Sequence, residues 1–223
     1  DGVVYIAQNL KSEFNTTLKK INFRDNSITS KGIIQFCTIL KSETKDRFSK
    51  IDFSVNYLDD EGLSEYGYFI SKFENLTSLI LSDKFSKNSL NNYFIYCESL
   101  TNIKKIIFYQ INLTEESTKY LMQILLNNKN IEIIKISSNR ALHDGILDIT
   151  KGIEHNLKLT HLCLKTCNIG DSGAEALASA LFKNIFIKDI DLDDNKISTK
   201  GIAPDCTDEE LNAAFRENTR LVF

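Results

Sequence analysis

Proline occurs once in this chain, methionine once and tryptophan not at all. With one proline there is no proline-rich linker to hold separate modules apart. No apolar run reaches the roughly 18 residues that cross a bilayer, and the opening DGVVYIAQNLKSEF lacks the ordered regions of a signal peptide. The chain begins at Asp1 rather than methionine, so it is expected to be a fragment of a longer protein. An excess of basic charge is missing too. The formal net charge of -3 excludes the global positive field that drives non-specific binding to nucleic acid or anionic lipid. Neither a nucleic-acid partner nor membrane insertion is expected. The five cysteines, Cys37, Cys97, Cys163, Cys167 and Cys206, are an odd, scattered set that builds no secreted disulfide framework. A reducing, cytoplasmic setting is expected instead.

Signatures of catalysis are equally scarce. There is no nucleophile elbow, no phosphate-binding glycine loop and no spacing that pairs two carboxylates. His143, His155 and His161 fall without a regular partner. The run DLDDN at 191–195 lacks the glycine and distal glutamate of a calcium loop. No catalytic residue, metal or cofactor is expected, and the chain reads as non-enzymatic.

What the sequence does have is a repeat. Its pattern is an apolar residue, two free positions, an apolar residue, one free, an apolar residue, two free, Asn or Cys, one free, and a last apolar residue. It runs through Leu18, Ile21, Phe23, Asn26, Ile28, then Phe48, Ile51, Phe53, Asn56, Leu58, then Leu76, Leu79, Leu81, Lys84, Ser86. It continues as Ile103, Ile106, Phe108, Ile111, Leu113, then Ile131, Ile134, Ile136, Asn139, Ala141. Leu159, Leu162, Leu164, Cys167, Ile169 and Ile187, Ile190, Leu192, Asn195, Ile197 close the series. The first members step by 30, 28, 27, 28, 28 and 28 residues, too regular for coincidence. Six residues after the Asn or Cys position stands Gly32, Gly62, Gly145, Gly173 or Gly201, with Leu90 and Ser117 in the remaining two repeats. Apolar residues at helical spacing follow, such as Phe36 with Leu40 and Leu177 with Leu181. Each unit therefore reads as a short strand, a turn and a helix. Asn15, Asn128, Asn156 and Asn184 stand three residues before a repeat begins, where they close the helices.

This pattern resembles the leucine-rich repeat family, in its ribonuclease-inhibitor-like class of long repeats. The resemblance implies an α/β solenoid, a horseshoe with parallel strands on the concave face and helices on the convex face, in which stacked units share one core. The expected organisation is a single repeat domain over 1–223, with about seven full repeats and partial or capping elements at 1–17 and 202–223. In the second cap, Thr207 and Glu210 are spaced as a capping box, and Leu211, Phe215, Asn218 and Leu221 recover the repeat register. In this family the Asn or Cys after the strand hydrogen-bonds the turning backbone. Lys84 and Ile111 break that ladder, so a looser stack is expected there. Cys167 belongs to the ladder, which leaves His161 and Cys163 with too few ligands for zinc.

In such repeats the residues between the strand's apolar positions point out of the concave sheet. They give a centre of Ile80, Ile107, Tyr109 and Ile133 beside Lys105, Lys135, His161 and Lys165, and an acidic end of Asp189, Asp191, Asp193 and Asp194. An apolar, aromatic centre within a charged rim is the composition of a protein-binding hot spot. These twelve residues are the expected partner site, with the aspartates selecting a basic patch on the partner, and the chain itself is expected to be monomeric. A Ran-type GTPase-activating protein is similar in fold and repeat length, and an inhibitor of a basic enzyme such as a ribonuclease fits the aspartates. A non-enzymatic scaffold that binds another protein is the leading expectation.

Overall fold

A computed structural model of the chain describes residues 2–11 and 15–198. Within them strand and helix alternate: α1 (Gly2–Leu10), β1 (Lys20–Asn22), α2 (Ser30–Ile39), β2 (Lys50–Asp52), α3 (Asp60–Ile70), β3 (Ser78–Ser82), α4 (Lys87–Cys97). The order continues with β4 (Lys105–Tyr109), α5 (Glu115–Asn127), β5 (Ile133–Ser137), α6 (Leu142–Glu154), β6 (His161–Cys163), α7 (Asp171–Lys183) and β7 (Asp189–Asp191). All pairings are parallel and join neighbours in sequence. The expected α/β leucine-rich repeat solenoid is therefore the observed one. The capping box at Thr207 and the register of Leu211 to Leu221 lie outside the described residues.

The periodic apolar positions point into one continuous core: Ile51, Leu79, Ile106, Ile134, Leu162 and Ile190 are all buried. A strand this short forms because its Ile and Leu side chains fill that core and its β-branched residues suit the pleat. Two registers differ from the expected pattern. Repeat 3 is a residue short, so Phe85 rather than Ser86 is buried, and Ser86 accepts the Ser89 amide at the start of α4. In repeat 5 the turn runs straight into α6, with the Leu142 amide on the Asn139 carbonyl, so Leu142 is buried and Ala141 exposed. Leu18, the first pattern residue, is 38% exposed.

The glycines stand where helices of adjacent repeats touch. A Cβ on Gly62 would lie 2.6 Å from Ser30 Oγ, and Leu90 and Ser117 are fully buried at the same register. Each strand is followed by a non-glycine residue in the left-handed region: Asp25, Val55, Asp83, Gln110, Ser138, Thr166 and Asp194. A β-branched residue such as Val55 is strained there, and the repeat's tight turn imposes it.

Asparagine stitches the repeats together at two corners. After the strand, Asn195 Oδ1 accepts the amides of Cys167 and Ile169 in the preceding repeat, while its Nδ2 donates to the Leu164 and Leu192 carbonyls. Asn56 likewise accepts the Ile28 amide and donates to the Phe23 carbonyl, while Asn139 accepts the Ile111 and Leu113 amides and donates to Ser137 of its own repeat. Cys167 keeps only the donor half, its thiol reaching the Ile136 carbonyl at 3.1 Å. Burial pushes that thiol up to about 11, so it stays protonated and able to donate. At the helix end, Asn128, Asn156 and Asn184 do more than close helices. Asn156 Nδ2 donates to the Asn128 carbonyl and Asn184 Nδ2 to the Asn156 carbonyl, forming a second, fully buried ladder.

The post-strand ladder fails at Lys84 and Ile111, and the helix-end ladder at Lys45, Phe73 and Leu100. The expected loosening is found on one side only. The sheet divides between β2 and β3 into a two-stranded and a five-stranded part. There the Val55 amide turns to Ser82 Oγ of the next repeat, and the Ile51 carbonyl accepts the Tyr66 hydroxyl of its own repeat, so side chains satisfy backbone groups that strand pairing leaves open. At Ile111 the stack stays regular, because Asn139 of the next repeat accepts its amide and the side chain joins the core.

Candidate functional site

The concave face is built by three cross-strand rows. The first runs Ser78, Lys105, Ile133, His161, Asp189, and the second Ile80, Ile107, Lys135, Cys163, Asp191. The third sets Ser82, Tyr109 and Ser137 side by side. Register thus gathers five of the expected residues, Lys105, Ile107, Tyr109, Ile133 and Lys135, onto β4 and β5. Tyr109 is 51% exposed and Lys105 and Lys135 are exposed, while Ile107 and Ile133 are half-buried between them.

Ile80 departs from expectation. It is only 5% exposed, and Ser78 and Ser82 beside it are buried as well. Short serines make β3 a trough below the longer Lys105 and Tyr109, so Ile80 forms a floor rather than an anchor. Beyond the trough, Lys50 pairs with the buried Asp52 carboxylate at 3.4 Å and Arg24 donates to Ser54 Oγ.

At the other end of the face the aspartates are engaged within the chain. Lys165 Nζ contacts Asp193 at 2.9 Å, and that carboxylate holds the lysine's pKa above its ordinary value. The Cys163 thiol donates to Asp191 and the Thr166 hydroxyl to Asp194. Burial pushes the Cys163 thiol up, so Asp191 meets a protonated group rather than a competing anion. The Asp189 carboxylate is exposed and has no hydrogen-bond or ion partner among the described residues. Inter-repeat contacts thus account for three of the four carboxylates, with Asp191 and Asp193 half-buried and Asp189 and Asp194 exposed. His161 shares a contact with the Thr160 hydroxyl at 2.8 Å.

Past the strands' C-terminal ends, Arg140, Thr166, Asn168, Asp194, Asn195 and Lys196 line an open cleft. Reading only the strand positions misses Arg140, Asn168 and Lys196. The signal was present, since all three follow the ladder residue of repeats 5, 6 and 7. Among the described residues no cluster of three or more His, Cys, Asp and Glu could hold a metal ion.

The leucine-rich repeat family model matches residues 14–37 and 155–178. The ribonuclease inhibitor of Sus scrofa is 26% identical over 130 residues, 52% of this chain and 28% of that protein. The chain is thus similar to ribonuclease-inhibitor-like leucine-rich repeat proteins in sequence as well as in the order of its repeats. Another leucine-rich repeat relative, "NACHT, LRR and PYD domains-containing protein 9C" of Mus musculus, is 24% identical over 89% of this chain and 20% of its own length. A tropomodulin C-terminal domain of Caenorhabditis elegans superposes with a TM-score of 0.46 at 13% identity, covering 82% of this chain and 93% of that one. The chain spans little more than a quarter of the curated ribonuclease inhibitor it matches. The repeat consensus of this chain goes into core and ladders, which leaves the positions between to form the surface. None of the described helices is long and apolar enough to cross a membrane.

Proposed function

We propose that this chain is a non-enzymatic scaffold that binds a partner protein through its concave sheet face. The observation that carries this reading is the patch on β4 and β5, where exposed Tyr109 shares a strand with half-buried Ile107 and with Lys105, while Lys135 pairs with Ile107 and half-buried Ile133 with Lys105. A rigid aromatic with apolar neighbours and a charged rim is what a binding hot spot requires. Tyr109, Ile107 and Ile133 act as anchors, Lys105, Lys135, His161 and Lys165 form the rim, and the carboxylates at Asp189, Asp191, Asp193 and Asp194 meet a basic patch on the partner. Ile80 supports the floor. Cys37, Cys97, Cys163 and Cys167 are free thiols, which supports a reducing, cytoplasmic setting.

The test is capture from a cell lysate with two baits, the native chain and a Tyr109→Ala, Lys135→Glu, Asp191→Lys variant whose circular dichroism matches it. A protein held by the first and lost by the second is the expected result. Identical capture by both overturns the concave-face reading. A second reading, inhibition of a basic enzyme such as a ribonuclease, draws on the similarity to the inhibitor of Sus scrofa and on the acidic seventh repeat. Titration against a pancreatic-type ribonuclease tests it, with unchanged turnover at saturating chain as the negative outcome.

A further inference from the structure

The concave face is charged in opposite senses at its two ends, and the ion pairs decide how much of that charge is free. Toward the N-terminal side, Lys20, Lys105 and Lys135 have no ion partner among the described residues, and Arg24 donates only to a serine hydroxyl. Lys50 is neutralised by Asp52, as Asp193 is by Lys165. At the seventh repeat, the Asp189 carboxylate is unpaired and Asp191 meets only uncharged donors, the Cys163 thiol and the Asp193 amide. Free cations therefore stand on β1, β4 and β5 and free carboxylates on β7, with His161 and Cys163 of β6 between them. They form a gradient along the solenoid rather than an alternation. Uncompensated charge at a docking face selects partners by complementarity and steers their approach.

We propose, resting on the concave-face reading, that the occupant is an extended protein segment lying across the strands, acidic at the end over Lys105 and Lys135 and basic at the end over Asp189 and Asp191. Apolar residues next to its acidic end contact Tyr109, which shares β4 with Lys105. Strands lie about 4.8 Å apart, so β4 to β7 spans about 14 Å, roughly four extended residues of the occupant. A segment of about a dozen residues then reaches from repeat 7 to Lys20. A wholly acidic or wholly basic ligand satisfies one end and is repelled at the other. That makes charge order, more than net charge, the specificity determinant.

Two synthetic peptides of about a dozen residues and identical composition test this: one with a glutamate block, two central phenylalanines and a lysine block, the other with the charges alternated. Binding is measured by fluorescence anisotropy at low salt against the native chain. The block peptide is expected to bind about tenfold more tightly than the alternated one. Lys105→Glu with Lys135→Glu removes that preference, and raising the salt weakens it. Equal affinity of both peptides, or a preference that survives the double charge reversal, overturns the proposal. Tyr109→Ala separates the two levels of failure. If both peptides bind equally and both weaken in that variant, the concave face stands and the charge order falls. If neither peptide binds, or the variant changes nothing, the concave-face reading falls as well.

Discussion

The two halves of this solenoid hold their repeats together by different means. From Phe23 to Phe108 the core is aromatic: Phe53 stacks on Phe23 at 5.1 Å and meets Phe36 and Tyr66 edge-on, and Phe69, Phe73, Tyr93 and Phe94 extend the chain of rings. From Ile111 onward the core is almost wholly aliphatic, with buried Asn128, Asn139, Asn156 and Asn184 bonding from repeat to repeat. Rings fill volume without dictating register, whereas an asparagine satisfies donors and acceptors at one spacing only. The sheet accordingly runs unbroken from β3 to β7 through the ladder half and divides within the aromatic half. The ladder half also carries most of the candidate binding surface, where precise register aligns side chains from adjacent strands.

The contrast is most sharply broken by Phe53→Ala. It empties the hub of the ring cluster and is expected to cost about 3–5 kcal/mol, measured as a lower urea midpoint. Next, Asn128→Ala strips the Ile103 amide and the Leu100 carbonyl of their partner in a fully buried corner. A loss of about 2–4 kcal/mol is expected, since each orphaned group costs about 1–3 kcal/mol and the site relaxes in part. If Asn128→Ala costs less than 1 kcal/mol, the ladder is not what holds the second half.

Tyr66→Phe keeps the ring and removes the hydroxyl from the Ile51 carbonyl, at an expected cost of about 1–2 kcal/mol. Hydrogen exchange should quicken at β2 while β5 is unchanged, which isolates the bond between α3 and β2 from the packing. The smallest effect concerns acid. The Gly62 amide, with the Ser30 hydroxyl, holds the Asp59 carboxyl below the usual aspartate range. A depressed carboxyl contributes stability that is present above its unfolded value near 3.9 and is lost as pH falls through the folded one. The Asp59→Asn variant should therefore lose less stability than the native chain between pH 5 and pH 2, by well under 1 kcal/mol because the group is largely solvated. An identical acid profile for the two would assign the depression no energetic weight.

The reading of the repeats reached the strands, the helices, the core stripe and the parallel order, because period and side-chain alternation follow from backbone geometry that every unit shares. It reached Asn139, Asn195 and the donor role of Cys167 through the family resemblance. It took Asn128, Asn156 and Asn184 for helix ends alone, since a buried bond to the preceding repeat is invisible until the repeats are stacked. It counted Ile80 as exposed and the aspartates as unpaired for the same reason: a strand position names the face a residue occupies, not the height of its neighbours.

By itself, then, the sequence determined the unit, its period and the direction in which each side chain leaves the backbone. Only the tertiary structure decided where the sheet divides, which charges find partners and which apolar residues remain uncovered. Those outcomes depend on residues about 28 positions apart meeting across a repeat boundary, as Lys165 meets Asp193 and the Val55 amide turns to Ser82. A local pattern sets what each residue offers, and the stacking of neighbours sets what is left over for a partner.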